Sequence, residues 1–320
     1  MTDAPAQARN TSFSLHLPEL QVAWDSTSLG ALKRCPTFYD FSIRQGLVPR
    51  DESIHLEFGL ELHSASELYN KLKVGGLPHD DAVVAVVWQA LKNTWDRALG
   101  RPREVFCNDK NKNRYTLIRT IVWYFEQFKE DRIETIVLSN GRPATELSFR
   151  LDLDFEAPTG EPYTLCGHMD RLGLYEGTPY VIDIKSTKYT LDDKFFSKYN
   201  PHNQFSLYSL AGKIAYNMPV RGVIVDAVQI AVTFSRFMRM PIQRDEASLE
   251  EWLEDTHAWI RQAEGFAKTN HWPKNDVACD MYGGCPYREV CSKSPLTRRQ
   301  WLDRGFQKRV WDPLMRRGDI

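Results

Sequence analysis

The chain has 320 residues, of which 42% are hydrophobic and 12% aromatic, so it can bury a substantial core in one large domain or one domain with an addition. Its formal net charge of −1 excludes attraction of nucleic acid by an overall positive charge, so any nucleic-acid binding must come from local basic patches. No stretch approaches the roughly 20 apolar residues of a membrane helix, so we expect no membrane partner.

The N-terminal part of the chain predicts mainly helices. Residues 1–25 begin with the polar sequence MTDAPAQARNTS, which has no apolar signal core and predicts a disordered arm on a cytoplasmic protein. Residues 26–145 predict a helical region. Its expected elements are a short helix and an aromatic turn at 26–44, an amphipathic helix at 54–73 closed by Gly75-Gly76, a helix capped by Asp80 and running to about Leu99, a basic loop at 108–114 and a helix near 117–130.

Strand patterns define the next segment, 146–275. Alternation begins at 146–155 and continues through two strands that contain Asp170 and Asp183 and are joined by a turn at 176–179. A helix near 203–216, a strand-rich run at 222–238 and a long helix near 246–268 follow. A cysteine segment at 276–295 and a basic tail at 296–320 end the chain. This order predicts an α/β protein whose mixed sheet is flanked by helices, with an N-terminal helical addition.

The strand pair around Asp170 and Asp183 carries the clearest chemical signal. Side chains alternate along a strand, so Asp183 and Lys185 share one face while Ile184 points the other way. Two carboxylates that meet across a hairpin repel each other unless a cation lies between them, and Mg²⁺ takes oxygen ligands of this kind. A lysine beside such an ion can orient or deprotonate water, which indicates metal-assisted hydrolysis of a phosphodiester. The D-x-K pattern alone also fits an ordinary solvated strand face.

Two helices carry further candidate residues at a spacing of four. Gly59 and His63 share one face of the helix at 54–73, although glycine costs about 1 kcal/mol there relative to alanine. A histidine in such a helix is by itself more often a packing or surface residue than a ligand. Gln204 and Tyr208 repeat the spacing on the helix that follows the D-x-K strand.

Four motifs in order therefore mark the chain: G-x-x-x-H-x-x-x-E at 59–67, G-x-x-D-R at 167–171, D-I-K-S-T at 183–187 and Q-x-x-x-Y at 204–208. Together they resemble the RecB-like branch of the PD-(D/E)XK nuclease superfamily over roughly residues 26–295. That branch includes the nuclease domains of recombination helicase–nucleases and the CRISPR-associated adaptation nucleases. The resemblance implies a restriction-endonuclease-like fold.

The resemblance also implies a role for each matching residue. Mg²⁺ or Mn²⁺ would be held by the following groups: His63, Asp170, Asp183 and the carbonyl of Ile184. Lys185 matches the catalytic lysine, and Gln204 and Tyr208 match residues that line the cleft and contact the DNA strand. Asp183 stands where much of the superfamily has glutamate, and aspartate is an accepted variant in this branch.

Three nearby polar residues have no firm assignment. Glu67 either supports the site from behind or faces solvent. Glu146 begins the first strand, and we interpret it as structural. His168 should share a strand face with Asp170, but no motif includes it.

The clustered cysteines indicate a metal site. Cys279, Cys285 and Cys291 form a C-x5-C-x5-C pattern, which leaves a four-coordinate metal or cluster one ligand short. Cys35, in LGALKRCPTFYDF, resembles the cysteine near the start of nucleases in this branch that carry a [4Fe–4S] cluster. The spacing departs from the commoner C-x2-C-x5-C, so a Zn²⁺ site with four cysteines is the alternative. Cys107 and Cys166 are expected to be buried free cysteines.

Two basic segments could face nucleic acid. Residues 101–119 contain six lysines and arginines, and residues 298–317 contain seven, with aromatic residues between them. A solvated loop and an amphipathic helix are the ordinary interpretations, and we expect at least one of the two segments to contact DNA.

The resemblance implies a Mg²⁺- or Mn²⁺-dependent deoxyribonuclease, more specifically an exonuclease acting on DNA ends or single strands in repair or recombination. The chain has no P-loop, so any unwinding requires a helicase, recombinase or other DNA-processing partner. Two alternatives stay open. One is a DNA-end-binding or assembly module that uses the fold without cutting, and the other is an RNA nuclease.

Overall fold

The computed structural model describes residues 20–158, 160–309 and 311–315. Most of the expected N-terminal arm and the end of the basic tail lie outside these residues. The chain forms two compact units, of which the first contains residues up to Arg50, Arg150–Gly167 and the residues from Trp252 onward. The second contains Asp51–Phe149 and His168–Glu251. The domain boundaries expected from the sequence stay predictions.

Helices and strands account for most of the described chain. The helices are α1 (Ser26–Arg34), α2 (Pro36–Tyr39), α3 (Ile54–Val74), α4 (His79–Asn93), α5 (Arg114–Gln127), α6 (Asp193–Ser197), α7 (Asn203–Ile214), α8 (Glu246–Thr269), α9 (Arg288–Ser292) and α10 (Arg298–Gly305). The strands are β1 (Ala23–Trp24), β2 (Leu47–Pro49), β3 (Trp95–Asp96), β4 (Arg101–Pro102), β5 (Ile133–Thr135), β6 (Thr145–Glu156), β7 (Pro162–Tyr175), β8 (Thr178–Thr187), β9 (Gly222–Ile230), β10 (Ser235–Gln243) and β11 (Phe306–Lys308). A wider, π-helical turn lies at 40–44, and tighter 3₁₀ turns lie at 104–106 and 276–283. Of the described helices, none has both the length and the apolar character needed to cross a membrane.

A mixed sheet organises the second unit. β7 and β8 form an antiparallel hairpin, β9 pairs with β8 in parallel, and β10 returns antiparallel to β9. β5 and β6 both pair with β7. The parallel step from β8 to β9 requires a crossover, which α6 and α7 supply. This mixed sheet flanked by helices confirms the predicted fold class.

The β7–β8 turn fixes the register of the two strands. Glu176 and Gly177 both have positive φ, 50° and 76°, as a two-residue turn of the primed type requires. The predicted turn is therefore present but shorter than expected, since Thr178 and Pro179 already belong to β8.

A large apolar cluster holds three helices against the sheet of the second unit. Ile184 on β8 and Val228 and Ile230 on β9 contact side chains from α3, α4 and α5. The fully buried members from those helices include Phe58, Val86, Leu117 and Ile121. The cluster sets the position of α3, the helix that carries His63.

Aromatic packing organises the first unit. Trp24 on β1 stacks on Tyr39 at 5.6 Å between ring centroids, and Tyr39 contacts Trp272 at 5.2 Å. Thr37 Oγ1 donates a hydrogen bond to the Trp272 carbonyl at 2.8 Å. The start of the chain and the segment after α8 are thereby joined within this unit.

Two local predictions are wrong. The helix expected from a cap at Asp80 to Leu99 begins at His79 after Pro78 and ends at Asn93, because residues 95–96 pair with 101–102. Cys107 is exposed, since Phe106 takes the buried position at the preceding helical turn. Cys166 is buried, as expected. The run at 222–238 contains β9 and the first four residues of β10.

A buried ion network between β9, β10 and the loop that precedes β5 gives a test of this packing. Asp226 is fully buried and accepts a hydrogen bond from Arg239 Nε at 2.9 Å, and Arg239 Nη1 contacts Asp131 Oδ1 at 2.5 Å. Arg239→Leu leaves the buried Asp226 carboxylate without its cation. We expect the free energy of unfolding to fall by about 3–5 kcal/mol, measured by urea denaturation. Arg236→Leu on the exposed face of β10 is the control, and an equal loss there would contradict the prediction.

Candidate active site

The second unit brings the helix histidine to the first strand acid. His63 lies on α3 and Asp170 on β7, and His63 Nδ1 is 2.8 Å from Asp170 Oδ2. Each side chain is 14% exposed, so the pair lies at the border between core and solvent. Two groups that are more than 100 positions apart in sequence therefore meet at one point.

A second contact ties the same helix to the same strand. Arg171, next to Asp170, is buried, and its Nη1 donates to Asn70 Oδ1 at 3.1 Å. Asn70 follows His63 by two helical turns, so it lies on roughly the same side of α3. Thr135 on β5 donates to the same Asn70 oxygen at 2.6 Å. These bonds at Asn70 oppose sliding of α3 along its axis and so help to hold His63 beside Asp170.

The D-x-K strand places a buried carboxylate beside a partly exposed ammonium. Asp183 is 1% exposed and Lys185 is 26% exposed, and Lys185 Nζ lies 2.7 Å from Asp183 Oδ2. Burial raises the pKa of Asp183, an effect opposed by the charges of Lys185 and His63 and increased by Asp170. The other three candidate side chains therefore all act electrostatically on Asp183.

Gln204 and Tyr208 on α7 hold the lysine from the other side. Lys185 Nζ donates to Gln204 Oε1 at 2.9 Å, and Gln204 Nε2 donates to the Tyr208 hydroxyl at 3.0 Å. The Tyr208 hydroxyl in turn donates to the His168 carbonyl on β7 at 2.7 Å. This chain of bonds fixes the direction of the ammonium, and the His168 backbone takes a role that no sequence motif indicated.

The residues present fit a hard divalent cation. Within the described chain, no group donates a hydrogen bond to Asp183 Oδ1, although this oxygen is buried. A buried carboxylate oxygen without a donor is costly, and a divalent cation would satisfy it. An imidazole from His63 and oxygens from Asp170 and Asp183 are ligand types that Mn²⁺ or Mg²⁺ accepts.

Positive charge gathers near Lys185. The pKa of His202 is lowered to about 4 by burial and by the charges of Lys185, Arg244 and Lys198. Burial and the charge of Lys185 also lower the pKa of Lys198. Groups whose protonation is disfavoured by neighbouring cations mark a region where an anion would be stabilised.

Three residues near the site, Glu67, His168 and Gly59, make other contacts or border open space. Glu67 pairs with Lys71 one turn along α3, which supports the solvent-facing interpretation. The His168 ring shares a hydrogen bond with Ser148 Oγ at 2.9 Å. A Cβ atom added to Gly59 would meet nothing within 4 Å, so the helix surface there is open.

A second group of metal-ligand types lies elsewhere in the second unit. His79, Asp80 and Glu126 are the one set of three within the described residues whose ligand atoms all lie within 4.8 Å of one another. His79 already shares hydrogen bonds with Tyr69 at 2.9 Å and Glu126 at 3.2 Å, and Asp80 lies 3.6 Å from Lys129. These prior contacts make the cluster the weaker candidate.

The first unit brings Cys35 to the cysteine segment. Cys35 Sγ accepts a hydrogen bond from the backbone of Asn275 at 3.3 Å, across 240 positions of sequence. The pKa of Cys291 is raised, first by burial, and the charges of Cys285 and Cys35 raise it further while Lys274 lowers it. The charges of Cys35 and Cys285 thus act on Cys291, and all four candidates are partly buried.

The basic segment at 101–119 is largely committed to contacts within the unit. Arg103 pairs with Glu57 at 2.8 Å, Arg114 donates to Thr94 Oγ1 at 3.1 Å, and Arg119 donates to the backbone carbonyls of 231, 232 and 234. Three of its four arginines therefore stabilise the fold. In the tail, Arg299 pairs with Asp303 at 3.0 Å, while Arg316 and Arg317 lie outside the described residues.

Two solved structures show partial similarity to the chain. A candidate exonuclease from Eubacterium rectale shares 10% identity, with a TM-score of 0.45 over 88% of this chain and 92% of that one. The protein SSO0001 shares 14% identity, with a TM-score of 0.29 over 76% and 80% of the two chains. Neither likeness is strong enough to bear on function. No curated protein shows significant sequence similarity to the chain.

A family model gives the decisive comparison. The model of the PD-(D/E)XK nuclease superfamily matches residues 24–292, which is most of the chain and includes every candidate residue of the acid–lysine site. The chain belongs to the PD-(D/E)XK nuclease superfamily.

Proposed function

We propose that the protein is a metal-dependent deoxyribonuclease whose active site contains His63, Asp170, Asp183 and Lys185. One observation carries the proposal: the buried Asp183 has one oxygen paired with Lys185 and the other without a donor among the described residues. A carboxylate arranged in this way can hold a cation on one side and a catalytic ammonium on the other.

Each side chain has a distinct role in this reaction. A bound Mg²⁺ or Mn²⁺ supplies positive charge to the phosphate and lowers the pKa of a water ligand. His63, Asp170, Asp183 and the Ile184 carbonyl would hold that ion. Lys185, directed by Asp183 and Gln204, donates to the phosphate oxygen or the attacking water, and Tyr208 keeps Gln204 in place.

The proposed substrate is a DNA end or single strand, cut exonucleolytically. No sequence-reading module is evident in the described residues, which favours action on ends over site-specific cutting. An RNA nuclease uses the same chemistry, and a DNA-end-binding module uses the same fold. Intact acids and an intact lysine favour cutting over binding alone.

We further propose that the chain belongs to the RecB-like branch and that Cys35, Cys279, Cys285 and Cys291 bind a [4Fe–4S] cluster. The contact between Cys35 and residue 275 supports this proposal, since a cluster would join the two ends of the matched region. Zinc is the alternative. A tetrahedral zinc ion with bonds of about 2.3 Å needs sulfurs about 3.8 Å apart. No three of these sulfurs lie within 4.8 Å of one another, and the ligand atoms of His63, Asp170 and Asp183 also do not all lie within that distance, so a single ion at either site would draw its ligands closer.

The same reasoning suggests a cellular setting. Any unwinding of the substrate would come from a partner such as a helicase, a recombinase or another DNA-processing protein. We propose a cytoplasmic protein that acts with such a partner in repair or recombination.

The lysine provides the first functional test. Lys185→Ala should abolish Mg²⁺- or Mn²⁺-dependent cleavage of end-labelled DNA while changing DNA affinity little, because it removes an ammonium from the chemistry and leaves other cations in place. Single- and double-stranded DNA and RNA are compared, with EDTA as the blank. Lys194→Ala, an exposed lysine on α6, is the matched control. Cleavage by Lys185→Ala at the wild-type rate would show that the assigned site is wrong.

Substitution of His63 and of His79 tests which of the two candidate clusters binds the metal. His63→Ala should weaken Mn²⁺ binding and raise the Mn²⁺ concentration needed for half-maximal cleavage, because it removes a ligand from the site. His79→Gln should leave both unchanged, since His79 serves Tyr69 and Glu126. Calorimetric titration of Mn²⁺ measures binding without turnover, and a thermal melt reports stability. The opposite pattern would assign the metal to the His79 cluster.

The cysteines give an independent test. Protein purified without oxygen should be brown, with broad absorbance near 400 nm and bound iron and sulfide. Cys35→Ser and Cys285→Ser should lower iron content and thermal stability alike, because each opens the same link. The exposed Cys107→Ser is the control and should change neither. One equivalent of zinc in colourless protein would favour the zinc alternative, and protein with neither metal would refute both.

A further inference from the structure

Lys112 is a buried cation close to the candidate site. It is 4% exposed, and its Nζ donates to Ser186 Oγ at 2.9 Å. The same Nζ lies 5.5 Å from the centre of the Phe58 ring on α3. An ammonium removed from water is costly unless a negative charge lies beside it.

The protein provides Lys112 with little negative charge. No carboxylate of the described residues lies within 4.0 Å of its Nζ. Asp109 attracts it, but Asp109 Oδ1 accepts the backbone N–H groups of Asn111 at 2.8 Å and of Lys112 itself at 2.7 Å. The pKa of Lys112 is lowered to about 8, first by burial, and Lys188 lowers it further.

Two more basic side chains lie in the same region. Lys188 follows the end of β8 and is exposed, and its charge acts on both Lys112 and His55. The pKa of His55, at the start of α3, is lowered by burial and then by Lys112. Two lysines, the His55 imidazole and the Ser186 hydroxyl therefore surround one acid, and one oxygen of that acid is already bonded to the backbone.

The group lies a short distance from the proposed chemistry. His55 precedes His63 by eight residues on α3, which is about 12 Å along the helix axis. Ser186 directly follows Lys185 on β8, and its side chain leaves the strand on the side of α3. Phosphates of a DNA strand advance by about 3.4 Å per nucleotide along the duplex axis, so this span corresponds to about three to four nucleotides of duplex and to fewer nucleotides of a more extended single strand.

We propose that Lys112, Lys188 and His55 bind a backbone phosphate of the substrate strand, one to three nucleotides from the scissile bond. The phosphate supplies the negative charge that Lys112 lacks in the free protein, and Ser186 orients the ammonium toward it. This inference rests on the nuclease function proposed above. It assigns a strand path along α3 from His63 toward His55.

The test pairs a protein change with a substrate change. In a series of single-stranded oligonucleotides, each member carries one neutral methylphosphonate linkage, placed at a different distance from the cleaved bond. The affinity of the protein for each member is measured by fluorescence anisotropy in EDTA. For the wild type, one position within three nucleotides should weaken binding about tenfold. Lys112→Met should bind unmodified DNA about tenfold more weakly, show no further loss at that position, and lower the slope of log K against log salt by about one.

Two further variants keep the test decisive. Lys129→Met removes a charge at the far end of the α3–α4 pair, where Lys129 contacts Asp80, and should retain the wild-type pattern. Lys188→Met changes an exposed side chain and should lose part of the position effect even if Lys112→Met does not fold.

The outcomes separate the two proposals. If the wild type cuts DNA but is equally sensitive to every neutral linkage, or if Lys112→Met and Lys188→Met keep the wild-type position effect, the phosphate site is refuted and the nuclease function stands. If the wild type cuts no nucleic acid with Mg²⁺ or Mn²⁺, the nuclease function is refuted and the phosphate site with it.

Discussion

The burial of the Asp183 carboxylate is the constraint on which the candidate site depends. At 1% exposure this group cannot rely on water, so its charge must be balanced by the protein or by a ligand. Lys185 balances one oxygen at 2.7 Å. Aspartate holds its carboxylate one methylene closer to the backbone than glutamate does, and it has fewer rotamers. The strand itself therefore fixes the position of the negative charge, which suits an ion that tolerates little displacement of its ligands.

The same constraint explains why α3 is tied to the sheet at more than one point. A metal ligand on a helix, the role proposed for His63, can act only if the helix does not slide along the strand that carries the proposed acid ligands. Apolar packing resists separation of α3 from the sheet, but it resists sliding poorly because such contacts are not directional. The bonds from Arg171 and Thr135 to Asn70 are directional, and they meet the helix two turns beyond His63. The arginine that follows Asp170 in the G-x-x-D-R motif thus acts on the position of the histidine.

The sequence revealed those parts of the site that follow from local periodicity. Strand alternation placed Asp183 and Lys185 together, and helix spacing placed Gln204 with Tyr208, because both patterns depend only on neighbours in the chain. The run NDKNKNR contains no periodic signal that separates Lys112 from Lys110. In the structure Lys112 is buried and Lys110 is exposed, and the sequence could not predict this difference. The end of α4 at Asn93 depends on a strand pair formed by residues further along the chain. The wrong expectation for Cys107 has a similar cause, because Phe106 takes the buried position there only in the folded unit.

The pairing of β8 shows how one strand can be rigid and still accessible to a ligand. Its pairing with β7 extends only to Ile182, opposite Arg171, whereas its pairing with β9 continues to Thr187. Residues 183–187 are therefore held along one edge by a parallel ladder while they no longer pair with β7 along the other. Asp170 and Asp183 are the first residues beyond the last β7–β8 pair, so the two acids stand where the strands part. An edge released in this way leaves backbone groups without ladder partners, which makes a carbonyl such as that of Ile184 a reasonable ligand.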